Sequence, residues 1–489
     1  MFLYDAQAAS LRLISHAKES TTQSGNANSS DPVISTDGQR VAFLSCASNL
    51  LGSGSTARCS HIYVYDVPTQ TMVLASPKAG SATLRANGAS SPPKLSADGQ
   101  RVVFSSCATD LVVASSPLDS SCPRQIYLYD LETKTMRMVS HAFSSTTQGA
   151  DGESYGFALS GDGRRVAFSS CARDLIADYE GPEFSDQFVC FQIYVYNLDT
   201  QATTLVSHAS GSVTTGGNRV TDYLVEISAD GQRVAFGSCA SDLLDGYSGA
   251  ACQVYAYDLS AQRMILLSRS RDSATSGGNE VSYSPAISAD GKRIGFLGCA
   301  TDLVVGYSGS GCQLYLYDEA TQAVTLISRA NATTAVAANG DSEASSISAD
   351  GRRVAFVSAA TDLVASYSGS TAPQVYVYDL TSQRTTLASH AAGLQTTGGD
   401  AGSGFVAISP DGGAVVFSSA ASNLSAIADN NMRDDVFYLT LDDLEQGGGS
   451  GGGAIGLKAL LVSLFAALLR GGLRGRRMPP RLELVRLLP

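Results

Sequence analysis

One segment, Ile287-Ser-Ala-Asp-Gly-Lys-Arg-Ile-Gly-Phe296, returns along the chain with small changes. Its Asp-Gly stands at Asp37, Asp98, Asp162, Asp230, Asp290, Asp350 and Asp411, at intervals of about 60 to 68 residues. Repetition at such a period constrains the fold more than any other feature, because each unit must bury its apolar surface against its neighbours. After each copy comes a stretch like Cys299-Ala-Thr-Asp-Leu303, then a Tyr-rich run such as Val375-Tyr-Val-Tyr-Asp379, then a run resembling Thr-Thr-Leu-Val-Ser. Alternating Val, Ile, Phe and Tyr give the period of two that marks a strand. Asp-Gly between two such runs is a hairpin signal, since Gly tolerates positive φ. Each repeat therefore holds four strands, A to D. Strands B and C are apolar on both faces, which suits sheets stacked face to face around an axis. The expected fold is an all-β propeller of four-stranded antiparallel blades, with seven blades favoured.

The chain has 489 residues, too many for one ordinary compact core but natural for a repeat ring. Gly numbers 48, charged residues make up 16%, and Trp is absent, a composition of short strands and turns. The net charge of −12, with no basic run in the repeats, argues against nucleic acid as a partner.

Ser-Ala-Asp-Gly-Arg-Arg-Val-Ala-Phe followed by Val-Tyr-Val-Tyr-Asp resembles the WD-like repeats of TolB-type propellers. The last copy, with Ala421-Ser-Asn-Leu424 and Asp435-Val-Phe437, is similar to a group of exported bacterial propellers. The resemblance covers residues 1 to about 445 and implies architecture rather than activity. Residues 1–5 and 11–15 align with strands C and D. Two readings stay open: these strands pair beside Val436 to Leu441 of the last blade and close a seven-bladed ring, or an A–B pair and a signal peptide lie upstream.

The ten cysteines fall two to a repeat: Cys46/Cys59, Cys107/Cys122, Cys171/Cys190, Cys239/Cys252 and Cys299/Cys312. The first ends strand B and the second precedes strand C, so antiparallel neighbours bring them within disulfide reach. The sixth and seventh repeats lack both partners together, as a bridge requires. Metal binding is the weaker reading, since no His pair accompanies the thiols. Disulfides imply an oxidising compartment.

Residues 447–453 form a Gly/Ser linker after the propeller (residues 1–445, linker 446–453). An apolar stretch, residues 454–469, precedes Arg470, Arg474, Arg476 and Arg477, and residues 478–489 form a tail. The expectation is a C-terminal helix outside the propeller (residues 454–477) that enters the membrane, with Arg residues on the cytoplasmic side. Glycines, short apolar helix and Arg cluster together resemble a GlyGly-CTERM sorting signal. That resemblance implies a sorting protease as partner and delivery to the cell surface or outside; unprocessed, the chain would stay anchored facing the periplasm. The tail after the Arg residues is longer than that pattern has.

Candidate chemistry is sparse. Gly152-Glu-Ser-Tyr-Gly156 matches the nucleophile-elbow pattern but sits before a strand A, without the strand–turn–helix setting that Ser154 would need. His16, His141, His208 and His390 follow strand D, where sister copies hold Arg269, Arg329 and Pro77, so a structural role is expected; His61 is the fifth His. Asn49, Asp110, Asp174, Asp242, Asp302, Asp362 and Asn423 each precede a Leu, which reads as an Asx turn with a Leu plug; a ring of calcium ligands is the sharper alternative. The best calcium loop holds Asp429, Asn430, Asn431, Asp434 and Asp435. No cofactor is otherwise implied. The expectation is a non-catalytic scaffold binding a protein or glycan. A TolB-like envelope-assembly protein, and an exported hydrolase or lyase with a funnel active site, are the alternatives.

Overall fold

The computed structural model describes residues 1–441, other than 7, 53–59, 114–123, 182–190, 220 and 426–432, and also residues 458–460. The fold is a seven-bladed propeller. Among the described residues there are seven four-stranded antiparallel sheets in the order A-B-C-D, one per repeat. Blade 5 is typical, with strands Ser282–Ile287, Arg293–Gly298, Gln313–Asp318 and Ala323–Leu326. Strands A and B are joined by the Asp-Gly turn, in which Gly291 has a φ of 70°. Asp290 shapes this turn: its carboxylate accepts from Ser288 Oγ (2.7 Å) and from the Lys292 backbone N–H (3.0 Å).

Both faces of strands B and C are buried, which explains their unbroken apolar runs. Phe296 and Tyr315 stack within the blade at 5.7 Å, and they pack with Ala235, Val254 and Leu267 of blade 4. On the other face Leu297, Leu314 and Leu316 pack on Val354, Phe356 and Tyr376 of blade 6. The Leu after strand B plugs each interface; Leu303 is 2% exposed.

Neighbouring blades are also tied through their Asp-Gly turns. Backbone N–H groups donate in series, from Thr36 to Ala97 O, Ala97 to Gly161 O, Asp162 to Ala229 O, Ala229 to Ala289 O, Ala289 to Ala349 O, and Ala349 to Pro410 O. The Arg that opens strand B reaches onward as well, Arg353 Nη1 donating to Gly412 O of blade 7 at 2.9 Å.

The ends differ from the sequence expectation. The N-terminal strands β1 (Phe2–Asp5) and β2 (Ser10–Leu13) pair only with each other among the described residues. They cover blade 1, where Ile14 and Leu3 pack with Val41, Phe43 and Tyr63, and they do not complete blade 7. The place beside strand C of blade 7 (Asp435–Thr440) is taken by Lys458–Leu460, with Val436 opposite Leu460. Those three residues therefore stand as strand D of a blade, not in a helix away from the propeller. Backbone pairing on an open sheet edge decides this, a demand that helix propensity does not register. The rest of the expected helix, the glycine linker and the Arg cluster lie outside the described residues. Among the described residues no helix is long and apolar enough to cross a membrane.

Candidate functional site

Antiparallel blades put the Asp-Gly turns at one end of the ring and the B–C and D–A loops at the other. The second end carries the disulfides. Cys239–Cys252 and Cys299–Cys312 are bonded, with Cα atoms 3.9 and 4.0 Å apart. Cys46, Cys107 and Cys171 are disulfide-bonded too; their expected partners Cys59, Cys122 and Cys190 lie outside the described residues. Each described bridge ties the end of strand B to the start of strand C.

A buried Gln next to the second Cys extends the bracing. In blade 5 Gln313 Nε2 donates to Ala338 O and Gly340 O, each at 3.3 Å, in the loop that leads to blade 6. Its Oε1 accepts from Ser328 Oγ at 2.7 Å, and Ser328 Oγ accepts in turn from the Leu314 N–H. Gln125, Gln192, Gln253 and Gln374 repeat this clamp. The repeated Gln before the Tyr-rich strand is its signal in the sequence.

The Asp or Asn after each strand B is a clamp as well. Asp302 Oδ1 accepts from the Asn279 N–H at 3.0 Å, and Asn279 Oδ1 accepts from the Thr301 N–H at 2.9 Å. The same reciprocal pair joins Asn26 with Asn49 and Asn218 with Asp242. These oxygens are used across the D–A loop rather than in a turn of their own. In blade 3 both partners are acids, Asp151 and Asp174. Burial first, and the Asp151 carboxylate second, push Asp174 above the usual carboxylate range. Among the described residues no group of three or more His, Cys, Asp or Glu is placed to hold a metal. Of the calcium candidates, Asp429, Asn430 and Asn431 lie outside the described residues, Asp434 is exposed, and Asp435 is buried at the start of strand C, where blades 2 to 6 hold Gln and blade 1 holds His61.

The histidines glue blades together. His141 and His208 stand edge-on to Tyr196 and Tyr257 of the next blade, with centroids 5.5 and 5.4 Å apart. Arg329 takes the same place by lying over Tyr378 at 5.1 Å, which explains the exchange of His with Arg. Ser154 is fully buried, and its Oγ donates to Ser170 Oγ at 2.9 Å. It opens strand A of blade 3, closed off from solvent.

A feature that the repeat pattern hides lies at the start of the inner strands. Six of the seven A strands break register with strand B near their second residue; in blade 2 Pro92 and Pro93 shorten the strand to Lys94–Leu95. Bulges of this kind re-aim side chains and are common beside active sites. The second residue is Ser30, Ser91, Tyr155, Asp222, Tyr283, Glu343 and Gly404 in blades 1 to 7. Four successive blades thus carry Tyr, Asp, Tyr and Glu at one repeat position. Tyr283 stands opposite Leu297 and Glu343 opposite Val357, and Asp222 lies against Gly237 at the matching place. The inner strands of these blades touch in series, so the four positions follow one another in an arc around the inner corner of the disulfide-braced end. Tyr155 donates to Glu153 Oε2 at 2.7 Å and packs edge-on to Phe191. Burial first, and that carboxylate second, push its phenol up to about 12, so it stays a neutral donor. The copies differ here, whereas the repeat is recognised by what they share.

No protein-family model matches the sequence, and no curated protein matches it. Solved structures similar to the chain include Porphyromonas gingivalis dipeptidyl peptidase 4, at 14% identity and a TM-score of 0.46, covering 87% of this chain and 52% of that one. An oligogalacturonate lyase in complex with manganese is similar at 13% identity and a TM-score of 0.44, covering 90% and 94% of the two chains. A structure from Agrobacterium tumefaciens assigned as TolB follows at 15% identity and a TM-score of 0.32, covering 66% and 86%. The chain spans about half the length of the dipeptidyl peptidase. At these identities the likeness is one of fold. The expectation of a non-catalytic scaffold is set aside, since the structures of similar fold that stand against it are peptidases and a lyase.

Proposed function

We propose that the chain is an exported hydrolase or lyase whose substrate is held at the inner corner of the disulfide-braced end. The observation that carries the proposal is the arc of Tyr155, Asp222, Tyr283 and Glu343 on four successive inner strands. Two carboxylates and two phenols at one repeat position supply the parts of acid–base catalysis: one carboxylate takes a proton from substrate or water, and a protonated partner gives one to the leaving group. Export is part of the proposal, supported by the disulfides. The repeat's likeness to exported TolB-type propellers supports export as well.

The test offers the full chain oligogalacturonate and a peptide library, the substrate classes named by the similar structures. New double bonds, reducing ends and free amines report elimination and hydrolysis. Turnover is expected, with a loss of about 100-fold or more in Asp222→Asn or Glu343→Gln and unchanged melting temperature. Absence of turnover on every substrate, or full activity in the double variant, refutes the proposal.

A further inference from the structure

We propose that the β1–β2 hairpin and blade 1 form an acceptor site for one more inner strand pair, a β-hairpin of this repeat's own A–B type. Four observations at the seam lead there. First, strand C of every blade is paired on both edges, whereas β1, which occupies the strand C position beside blade 1, pairs with β2 alone among the described residues. Second, Ile34 on strand A of blade 1 is 54% exposed, whereas its repeat counterpart Ile227 is 7% exposed under the blade before it. Third, a Cβ placed on the turn glycines Gly99, Gly163, Gly231, Gly291, Gly351 or Gly412 would meet the Arg or Ser of the preceding blade within 3.3 Å, but at Gly38 nothing lies within 4 Å.

The fourth observation shows that blade 7 is not built to fill this place. Its turn reads Ser409-Pro410-Asp411-Gly412-Gly413-Ala414. Pro410 has no N–H to continue the series of turn-to-turn bonds, and Ala414 replaces the Arg that reaches onward from blades 1 to 6. Val416, on the blade 7 face that would meet a following blade, is 39% exposed, against 0% for its counterparts Ala235 and Ala355. Blade 1 keeps the receiving half of a joint whose giving half blade 7 has lost.

The occupant follows from continuity with the six joints already present. It is a strand pair with an apolar, alternating pattern and a Ser-x-Asp-Gly-x-Arg turn. Its second strand adds to the edge of β1, its Arg and Ser cover Gly38, and its inner strand covers Ile34. Main-chain pairing supplies affinity and the turn supplies specificity.

A synthetic peptide of residues 340–360 of this chain, which carries Ser348, Asp350, Gly351 and Arg353, is the probe. It is titrated into the full chain and followed by fluorescence anisotropy and thermal melting. Saturable one-to-one binding with a raised melting temperature is expected. Ile34→Asp in the chain, or Arg353→Ala in the peptide, should weaken binding about tenfold or more. The same hairpin joined by a Gly/Ser linker ahead of Met1 should raise the melting temperature even where the free peptide aggregates. An unshifted melting temperature in that fusion overturns the proposal. So does peptide binding indifferent to Ile34→Asp, or a concentration-dependent dimer in light scattering that Ile34→Asp abolishes, since a second copy would then be the occupant.

Discussion

Substituting the same glycine in two blades separates the intrinsic strain of the turn from the joint between blades. Gly38 and Gly351 have nearly the same backbone, with φ of 70° and 68°. Alanine at either position is forced into the left-handed region at a cost of about 1–2 kcal/mol. At Gly38 the new methyl meets nothing within 4 Å, and the cost ends there. At Gly351 it would stand 2.8 Å from Arg293 Cδ, 2.9 Å from Arg293 Cβ and 3.2 Å from Ser288 Cβ. Arg293 cannot swing clear freely, because its Nε is bonded to Asp318 Oδ2 at 2.8 Å and its Nη1 to Asp350 O at 3.0 Å. Displacing a packed joint adds about 1–3 kcal/mol, so Gly351→Ala should cost about 2–5 kcal/mol in all. Thermal melting with hydrogen exchange resolved by blade reads both effects. Gly351→Ala should melt well below Gly38→Ala, with loosening at blades 5 and 6. Equal losses in the two variants would refute the view that the turns carry the joints.

Replacing Gln313 with Ala removes a buried clamp on both the following loop and Ser328, and chemical denaturation should show a loss of about 2–4 kcal/mol; a loss under half of that would mean the loop holds itself. Reducing Cys239–Cys252, which closes a 13-residue separation, should cost about 2–3 kcal/mol in unfolding experiments with and without reductant, while Cys-free blade 6 sets the control region in hydrogen exchange. Asp174 is held above its usual range by burial and by Asp151, so the folded state binds the proton more readily than the unfolded chain. The resulting destabilisation is absent at acid pH and grows as pH rises through the carboxylate range. Asp151→Asn, the residue that blades 1, 2, 4, 5 and 6 use there, should stabilise by about 1 kcal/mol at neutral pH and lose the gain in acid; a gain independent of pH would point to packing instead.

The repeat alone makes the architecture legible. Period-two apolar runs, the Asp-Gly turns and the joint presence or absence of cysteines are local patterns, and local backbone geometry is enough to read them. The structural role of the histidines is legible for the same reason, since His and Arg exchange among copies. Three things needed the tertiary structure. The Asp and Asn oxygens after strand B have the local signature of turn makers, but their partners lie about 23 residues away across a loop, a pairing that sequence spacing does not specify. The arc of Tyr155, Asp222, Tyr283 and Glu343 lies where the copies differ, and only the arrangement of blades around an axis sets these four distant positions around one end of the ring. The ends were decided by competition for a sheet edge. The β1–β2 hairpin packs on blade 1 while Lys458–Leu460 takes the edge of blade 7. A strand's affinity for an edge depends on which edge the folded ring leaves open, and that is a property of the assembled blades rather than of the strand.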